Sequence, residues 1–194
     1  MGRNGQAGFL LVSAGRFPYP GVVGEAIDVE AIHRLRDQAS THVGRHPGGA
    51  PFRSALYRVT RGRVDRRPRP TVGQLPTLPT PWQDTVSGRF FGWRCRQARL
   101  GEDFAFAVEY IVCLECRLGW VDKPYTAEEY QRHGLASAAL RALREEFPGL
   151  AWHTRSGHLT DSKPFWSAVG REIDGSYLPR KVCEHVTRRT AYGR

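Results

Sequence analysis

The sequence has few lysines and no long hydrophobic run. It has only three lysines, Lys123, Lys163 and Lys181, so arginine supplies most of its positive charge. A transmembrane helix needs roughly 20 consecutive apolar residues, and no stretch approaches that length. The apolar patch at residues 9–12 is also too short for the core of a signal peptide. We therefore expect a cytoplasmic protein with no membrane partner.

Positive charge exceeds negative charge in this chain. Lys and Arg total 29 and Asp and Glu total 19, which gives a formal net charge of +10. Such an excess can indicate nucleic-acid binding. The bias towards arginine is also typical of a GC-rich genome, and a polyanionic coenzyme would need a basic surface as well. Nucleic-acid binding is therefore an alternative that charge alone leaves open.

The length of 194 residues suits one domain, or one domain with a short appendage. Residues 1–85 are predicted to hold a helix over 28–39 that Asp28 caps, a strand over 52–60, and a loop rich in Arg and Pro over 61–81. That loop is either solvated or a contact for RNA or DNA. The segment 1–85 is part of, or appended to, the domain that residues 86–194 form.

The second half of the chain alternates between strand and helix patterns. Five apolar residues recur with period two over nine positions, which predicts a strand: Phe104, Phe106, Val108, Tyr110 and Val112. A partner strand is expected from Phe90 onwards, with a turn at 101–103, and a third strand at 118–121. Further along we predict a helix over 135–147, a strand over 150–154, a helix over 162–169 that Thr160 or Asp161 caps, and a last strand over 182–186. This order predicts an α/β fold with mixed strand directions.

The segment between the strand at 118–121 and the helix at 135–147 has the features of an anion site. The first turn of a helix has unpaired N–H groups and the positive end of the helix dipole. Gly134 allows the backbone to approach a ligand closely, and Ala136 and Ser137 are small. A pyrophosphate would fit there, although a plain strand–loop–helix connection explains the same pattern.

Gln131-x-x-Gly134-x-Ala136 resembles the Q/R-x-x-G-x-G/A signature of the GNAT superfamily of N-acetyltransferases, and it stands in the expected place between strand and helix. The following strand and the helix with Phe165-Trp166 and Gly170 also resemble that family. The resemblance covers about residues 104–170. It implies a mixed, mostly antiparallel central sheet flanked by helices, with acetyl-CoA as co-substrate.

The resemblance implies an N-acetyltransferase that moves the acetyl group of acetyl-CoA directly to an amine, either a small molecule or a peptide. The coenzyme would contact the signature loop and the edge of the preceding strand. The implied binding residues are Trp120, Val121, Gln131, Arg132, His133, Gly134, Leu135 and Ala136. The amides of Arg132, His133, Gly134 and Ala136 would hold the pyrophosphate, and the strand edge would hold the pantetheine arm.

Two features depart from the family pattern. The loop between Val121 and Gln131 contains an insertion near residues 125–130. Trp166 stands where many members have a tyrosine that protonates the leaving thiolate, and an indole N–H is no practical acid. A GNAT-like module that binds an acyl-CoA without turnover is therefore an alternative, beside a nucleic-acid-binding protein on a similar scaffold.

A general base must take the proton of the attacking ammonium. By resemblance, Glu115 stands where some members place a strand glutamate, so we expect it to be the base. Glu109 is its rival, and a solvated strand carboxylate is the simpler interpretation of either residue.

The cysteines and histidines admit two interpretations. Cys113-x-x-Cys116 has the spacing of a zinc knuckle, and Cys183-x-His185 could complete a four-ligand site. If residues 113–116 form a regular strand, however, the two sulfurs face opposite sides of the sheet. No glycine follows Cys116 either, so we expect buried thiols and no bound metal. His153 and His158 lie either in a surface loop or near an acceptor site.

Overall fold

The sheet is built around one long strand, β4 (Asp103–Cys113). A computed structural model describes residues 28–45, 78–171 and 173–191 of the chain. Within β4, Phe106, Val108 and Tyr110 belong to a large apolar core on one face of the sheet, whereas Ile111 and Cys113 belong to a smaller core on the other face. The predicted alternation of residues 104–112 is thereby confirmed.

The described residues form one sheet in the order β1-β2-β3-β4-β5-β7. Its other strands are β1 (Val43–Arg45), β2 (Trp82–Val86), β3 (Arg94–Leu100), β5 (Leu118–Val121), β6 (Tyr125–Thr126) and β7 (Ala151–Thr154). The pairs β1–β2 and β5–β7 are parallel, and the pairs β2–β3, β3–β4, β4–β5 and β4–β6 are antiparallel. The expected α/β architecture with a mixed, mostly antiparallel sheet flanked by helices is present.

Two helices cover the face with the large core. The first helix, α1 (Val29–Asp37), begins where Asp28 accepts hydrogen bonds from the amides of Glu30 and Ala31, and it buries Ile32. The second, α2 (Leu135–Glu146), buries an apolar stripe whose members recur three and four residues apart, namely Leu135, Ala138, Ala139, Ala142 and Leu143. The sequence analysis predicted both helices, over residues 28–39 and 135–147. Because α1 packs into the same core as α2, the described part of residues 1–85 shares the core of the sheet.

The C-terminal segment forms a helix on the opposite face of the sheet, so the predicted strand over 182–186 is wrong. Helix α4 (Glu184–Ala191) places Val186, fully buried, against Ile111, Leu118 and Trp120. Val182 packs against the same cluster. Val182 and Val186 are four residues apart, which is a helical spacing that five residues are too few to reveal.

Smaller differences concern the boundaries of elements. Phe90 lies in the connection between β2 and β3, where Ser87 Oγ accepts hydrogen bonds from the amides of Arg89 and Phe90, so the strand begins at Arg94. Helix α3 (Lys163–Val169) has Ser162 as its N-cap, after a short 3₁₀ turn, and not Thr160 or Asp161. The predicted strand over 52–60 and most of the Arg/Pro-rich loop lie outside the described residues.

A buried ionic network joins α2 to the sheet. The side chain of Arg96 on β3 is 1% exposed, and its Nη2 lies 2.6 Å from Glu146 Oε2 at the end of α2. The same nitrogen lies 3.6 Å from Asp84 Oδ2, and Tyr110 Oη donates a 2.6 Å hydrogen bond to that oxygen.

The described helices include none that is both long enough and apolar enough to cross a bilayer.

Candidate functional site

A cavity of about 610 Å³ opens at the carboxyl ends of β5 and β7, between the start of α2 and helix α3. The crossover from β5 through α2 to β7 leaves a crevice beyond the ends of two parallel strands, which is where open α/β sheets bind ligands. Six of the eight residues proposed for coenzyme binding line it: Val121, Gln131, Arg132, Gly134, Leu135 and Ala136. The cavity therefore lies at the Gln-x-x-Gly-x-Ala segment.

The N-terminus of α2 faces this cavity without a side-chain cap. Gly134 is the N-cap in the left-handed conformation, with φ 82° and ψ 8°, and no side chain there accepts from the helix amides. The first helical bond runs from the amide of Ala138 to the carbonyl of Gly134. The amides of the first three helical residues, Leu135 to Ser137, therefore have no acceptor within the helix.

The backbone before α2 curves tightly around this point. Arg132 also has a positive φ of 66°, a conformation that is uncommon for a residue other than glycine. A Cβ atom on Gly134 would lie 3.2 Å from Cδ of Arg36 on α1. The turn thus presents free amides beside cationic side chains, which is a concave site for an anion.

The strand edge assigned to the pantetheine arm is already paired within the sheet. The expected free strand edge at Trp120 and Val121 is absent, because β5 pairs with β4 on one side and with β7 on the other. The carbonyl of Val121 accepts a 2.9 Å hydrogen bond from the amide of Arg155. Trp120 is fully buried in the smaller core. A ligand arm would instead meet the backbone from Asp122 onwards, at the wall of the cavity.

His133 lies outside the cavity lining. Its ring centroid is 5.9 Å from that of His33 on α1. The amide of His133 nevertheless belongs to the same turn as Gly134. The structure therefore places the side chain of this residue beside α1 and outside the lining of the cavity.

Trp166 and His158 form an aromatic wall of the cavity. Their rings stack with centroids 4.9 Å apart and planes 14° apart. His158 Nε2 lies 2.9 Å from the carbonyl oxygen of Tyr177 and 3.1 Å from Thr154 Oγ1. A carbonyl only accepts, so we assign the proton of the neutral ring to Nε2, which leaves Nδ1 as the acceptor. The stacked pair thus places an imidazole in the wall of the cavity.

His153 has a different environment. It is buried on β7, its Nδ1 lies 3.2 Å from the carbonyl oxygen of Leu178, and its Nε2 lies 3.3 Å from Arg180 Nη1. Burial lowers the pKa of His153, and the nearby positive charge of Arg180 acts in the same direction. It is not among the residues that line the cavity.

Glu109 and Asp122 form a buried acidic pair next to the cavity. They are 8% and 3% exposed. Asp122 lines the cavity, whereas Glu109 lies behind it and is not part of the lining. Ser87 Oγ donates a 2.5 Å hydrogen bond to Glu109 Oε1. Arg89 Nη1 lies 3.3 Å from Glu109 Oε2 and 3.6 Å from Asp122 Oδ2.

The protonation of Glu109 is tuned by this environment. Burial raises the pKa of Glu109, and the charge of Asp122 raises it further, whereas Ser87 and Arg89 oppose that rise. Among the described residues, no donor makes a hydrogen bond to Glu109 Oε2 or Asp122 Oδ1. A buried carboxylate with a raised pKa beside a cavity is the arrangement of a general base.

Glu115 is not on a strand, so the premise on which it was assigned as the base is wrong. Strand β4 ends at Cys113, and Glu115 lies in the turn that follows, with its side chain 73% exposed. Its Oε2 lies 3.1 Å from His185 Nε2, and it does not line the cavity. Sequence reasoning overlooked Asp122, for which the available signal was an acidic residue directly after a buried strand.

Cys113 and Cys116 do not lie on one strand either. The turn after Cys113 brings Cys116 back, and the candidate ligand atoms of Cys113, Cys116, Cys183 and His185 all lie within 4.8 Å of one another. The geometric reason for expecting separated thiols is therefore wrong. The described cysteines are all free thiols.

The chain matches no protein-family model, no curated protein and no solved structure. Its chemistry must therefore be argued from its own residues. The cavity combines an uncapped helix start with a histidine, and a buried acidic pair adjoins it. This arrangement can bind an anionic ligand and move protons on a second ligand beside it.

Proposed function

We propose that the protein is a GNAT-like N-acetyltransferase that moves an acetyl group from acetyl-CoA to an amine. The observation that carries the proposal is the uncapped N-terminus of α2, which opens into the 610 Å³ cavity at Gln131-x-x-Gly134-x-Ala136. Free helix amides and the helix dipole favour a pyrophosphate at this point. The mixed sheet flanked by helices, and the position of the segment between β5 and α2, are compatible with the resemblance seen in the sequence.

The coenzyme would bind with its pyrophosphate on the amides of Leu135, Ala136 and Ser137. Arg132 lines the cavity there, and Lys123 lines it at the end of β5. Both cations offset the negative charge of the ligand. The pantetheine arm would run along the wall from Asp122, because the backbone of Val121 is already paired with β7.

The acceptor amine would enter beside the acidic pair. A positively charged ammonium is attracted to Glu109 and Asp122, and Glu109, whose pKa is raised by burial, takes the proton from the ammonium. The neutral amine then attacks the thioester carbonyl carbon, so that a C–N bond forms and the C–S bond breaks. The nitrogen loses its second proton to Nδ1 of His158, which passes it to the departing thiolate, a task that the indole of Trp166 cannot perform.

One specific feature favours a second candidate function. Trp166 is 6% exposed and stacks on His158, so the wall that faces the thioester is largely aromatic. A GNAT-like module that binds acyl-CoA without turnover would have the same cavity and need no acid. Binding without acetyl transfer is the property that separates this alternative from the enzyme.

The test is an acetyl-CoA consumption screen with separate chromatographic measurement of free coenzyme A and acetylated product. Small polyamines, aminoglycosides, peptides with free N-termini and lysine-containing peptides represent the acceptor classes. We expect one class to release coenzyme A and acetylated product in equal amounts. Tight acetyl-CoA binding with no product from any class would favour the non-catalytic module, and no binding at all would refute both.

A further inference from the structure

Three cysteines and one histidine from distant parts of the chain meet at the end of β4. Cys113 ends β4 and Cys116 lies in the next turn, while Cys183 precedes α4 and His185 lies in its first turn. Their four ligand atoms lie within 4.8 Å of one another. In tetrahedral coordination with Zn–S bonds of about 2.3 Å, two sulfur ligands lie about 3.8 Å apart. From this geometry we propose that Cys113, Cys116, Cys183 and His185 bind one Zn²⁺ ion.

The turn that joins the first two cysteines has the conformation of a knuckle although it lacks glycine. The amide of Arg117 donates a 3.2 Å hydrogen bond to the carbonyl of Leu114. Arg117 has a φ of 53°, the left-handed conformation that glycine adopts without strain. A residue with a Cβ atom adopts this conformation at a modest steric cost. The absence of glycine after Cys116 therefore does not prevent the two thiols from facing one ion.

His185 is oriented for metal binding by Glu115. Its Nδ1 lies 3.2 Å from Cys116 Sγ, and its Nε2 lies 3.1 Å from Glu115 Oε2. The carboxylate accepts the proton of Nε2, so the lone pair of Nδ1 points towards the sulfurs. Histidine ligands in zinc sites typically donate their second ring N–H to a carboxylate in this way. Glu115 is thus a positioning residue of the zinc site.

The ligand set identifies the ion and its role. Three thiolates and one imidazole suit Zn²⁺, and four protein ligands leave no position open for a substrate. None of the four residues lines the cavity. The site therefore has a structural role that is independent of the proposed acetyl transfer.

The ion would attach the C-terminal helix to the sheet. Two ligands belong to the segment around β4 and two to the start of α4, whose Val186 is fully buried in the smaller core. Arg189 Nη2 also donates a 2.8 Å hydrogen bond to the carbonyl of Val112. Without zinc, α4 would lose both metal-bound attachments, and we expect it to separate from the sheet at a lower temperature.

The first experiment measures metal content. The full-length protein, saturated with Zn²⁺ and dialysed extensively, should retain one zinc per chain, and Cys183→Ser and His185→Gln should lose it. Cys95→Ser is the matched control, since Cys95 lies on β3 outside the cluster, and it should keep its zinc. Retention of no zinc by the parent protein, or an equal loss in Cys95→Ser and Cys183→Ser, would overturn the proposal.

The second experiment does not depend on a variant that folds. Co²⁺ added to the metal-free parent protein should give the intense ligand-field bands of tetrahedral cobalt and a thiolate-to-metal charge-transfer band.

A third experiment tests the positioning role of Glu115. Glu115→Gln should keep one zinc per chain but bind it about 10–100-fold more weakly. Glu184→Gln changes a neighbouring carboxylate that pairs with Arg188 and should bind zinc as the parent does. An octahedral cobalt spectrum, or a disulfide among the three cysteines in place of metal, would refute the site.

Discussion

The amide of Asp122 donates a 2.8 Å hydrogen bond to the carbonyl of Glu109. This bond extends the pairing of β4 and β5 one residue beyond Val121 and brings two buried carboxylates together beside the cavity. Arg89 lies near both of them and Ser87 contacts Glu109. The acidic pair is therefore held by the sheet itself, which makes Glu109 the better candidate for the general base than the exposed Glu115.

Glu109→Gln should lower kcat by about 10²-fold, because loss of a general base typically removes that much rate. The affinity for acetyl-CoA should stay nearly unchanged, since the proposed pyrophosphate site lies at the start of α2 and not at Glu109. Steady-state kinetics with a true acceptor and calorimetry with acetyl-CoA measure the two effects. A large loss of kcat in Glu115→Gln, with Glu109→Gln as fast as the parent, would restore the assignment made from the sequence.

The stability of the protein should depend on pH through Glu109. Burial raises the pKa of Glu109 above its unfolded value, so the folded state binds this proton more tightly than the unfolded state. The stabilisation is fully present below the unfolded pKa and is lost as pH rises through the folded pKa. Urea unfolding of parent and Glu109→Gln across this range should show the parent losing stability relative to the variant as pH rises. A constant difference would mean that Glu109 is not perturbed.

Arg96→Leu should lower the free energy of unfolding by about 3 kcal/mol, the lower end of the cost of breaking a buried ion pair, because Asp84 and Glu146 lose their buried partner but keep Arg94 and Arg45. Arg96 is 1% exposed, and Asp84 is 3% exposed. Arg141→Leu is the matched control on the exposed face of α2, where Arg141 pairs with Glu145, and it should change stability by less than about 1 kcal/mol. Similar effects of the two substitutions in urea unfolding would contradict the importance of the buried network.

Gly119→Ala should destabilise the protein by about 1–3 kcal/mol through overpacking. A Cβ atom there would lie 2.7 Å from Cε3 of Trp152, which packs over Gly119 from β7. At Gly157 nothing lies within 4 Å of an added Cβ, so Gly157→Ala should be nearly neutral. Thermal unfolding of the two variants checks this, and an unchanged Tm for Gly119→Ala would show that Trp152 has room to move.

Local patterns predicted the elements that are long or capped. Nine alternating positions were enough for β4, the repeated four-residue spacing was enough for α2, and the Asp28 cap marked the start of α1. The helix at 184–191 was missed because Val182 and Val186 alone do not distinguish a helix from a strand. The alternation predicted to Val112 agrees with the end of β4 at Cys113, and only the placement of Glu115 on a strand was wrong.

The site was predictable where it follows from one segment. Gly134, Leu135 and Ala136 were predicted to contribute to an anion site, and all three line the cavity. The acidic pair was not predictable, because the contact of Glu109 with Asp122 depends on the register of β4 and β5. The pairing of β7 with β5, which removes the free edge at Val121, is likewise a tertiary feature. Glu115 was misplaced because its role was carried over on the assumption that the strand continued.

The most direct test of the proposed coenzyme site compares Gly134→Asp with Gly134→Asn in calorimetric titrations with acetyl-CoA. Aspartate and asparagine have the same size and both tolerate the left-handed conformation that Gly134 adopts with φ 82°, so the two variants differ chiefly in charge. A carboxylate about 4 Å from a phosphate costs roughly 4 kcal/mol at an effective dielectric constant near 20. Circular dichroism establishes that both variants are folded. We predict that Gly134→Asp weakens acetyl-CoA binding at least about 100-fold relative to Gly134→Asn, and equal affinities in the two folded variants would contradict binding of the pyrophosphate at the start of α2.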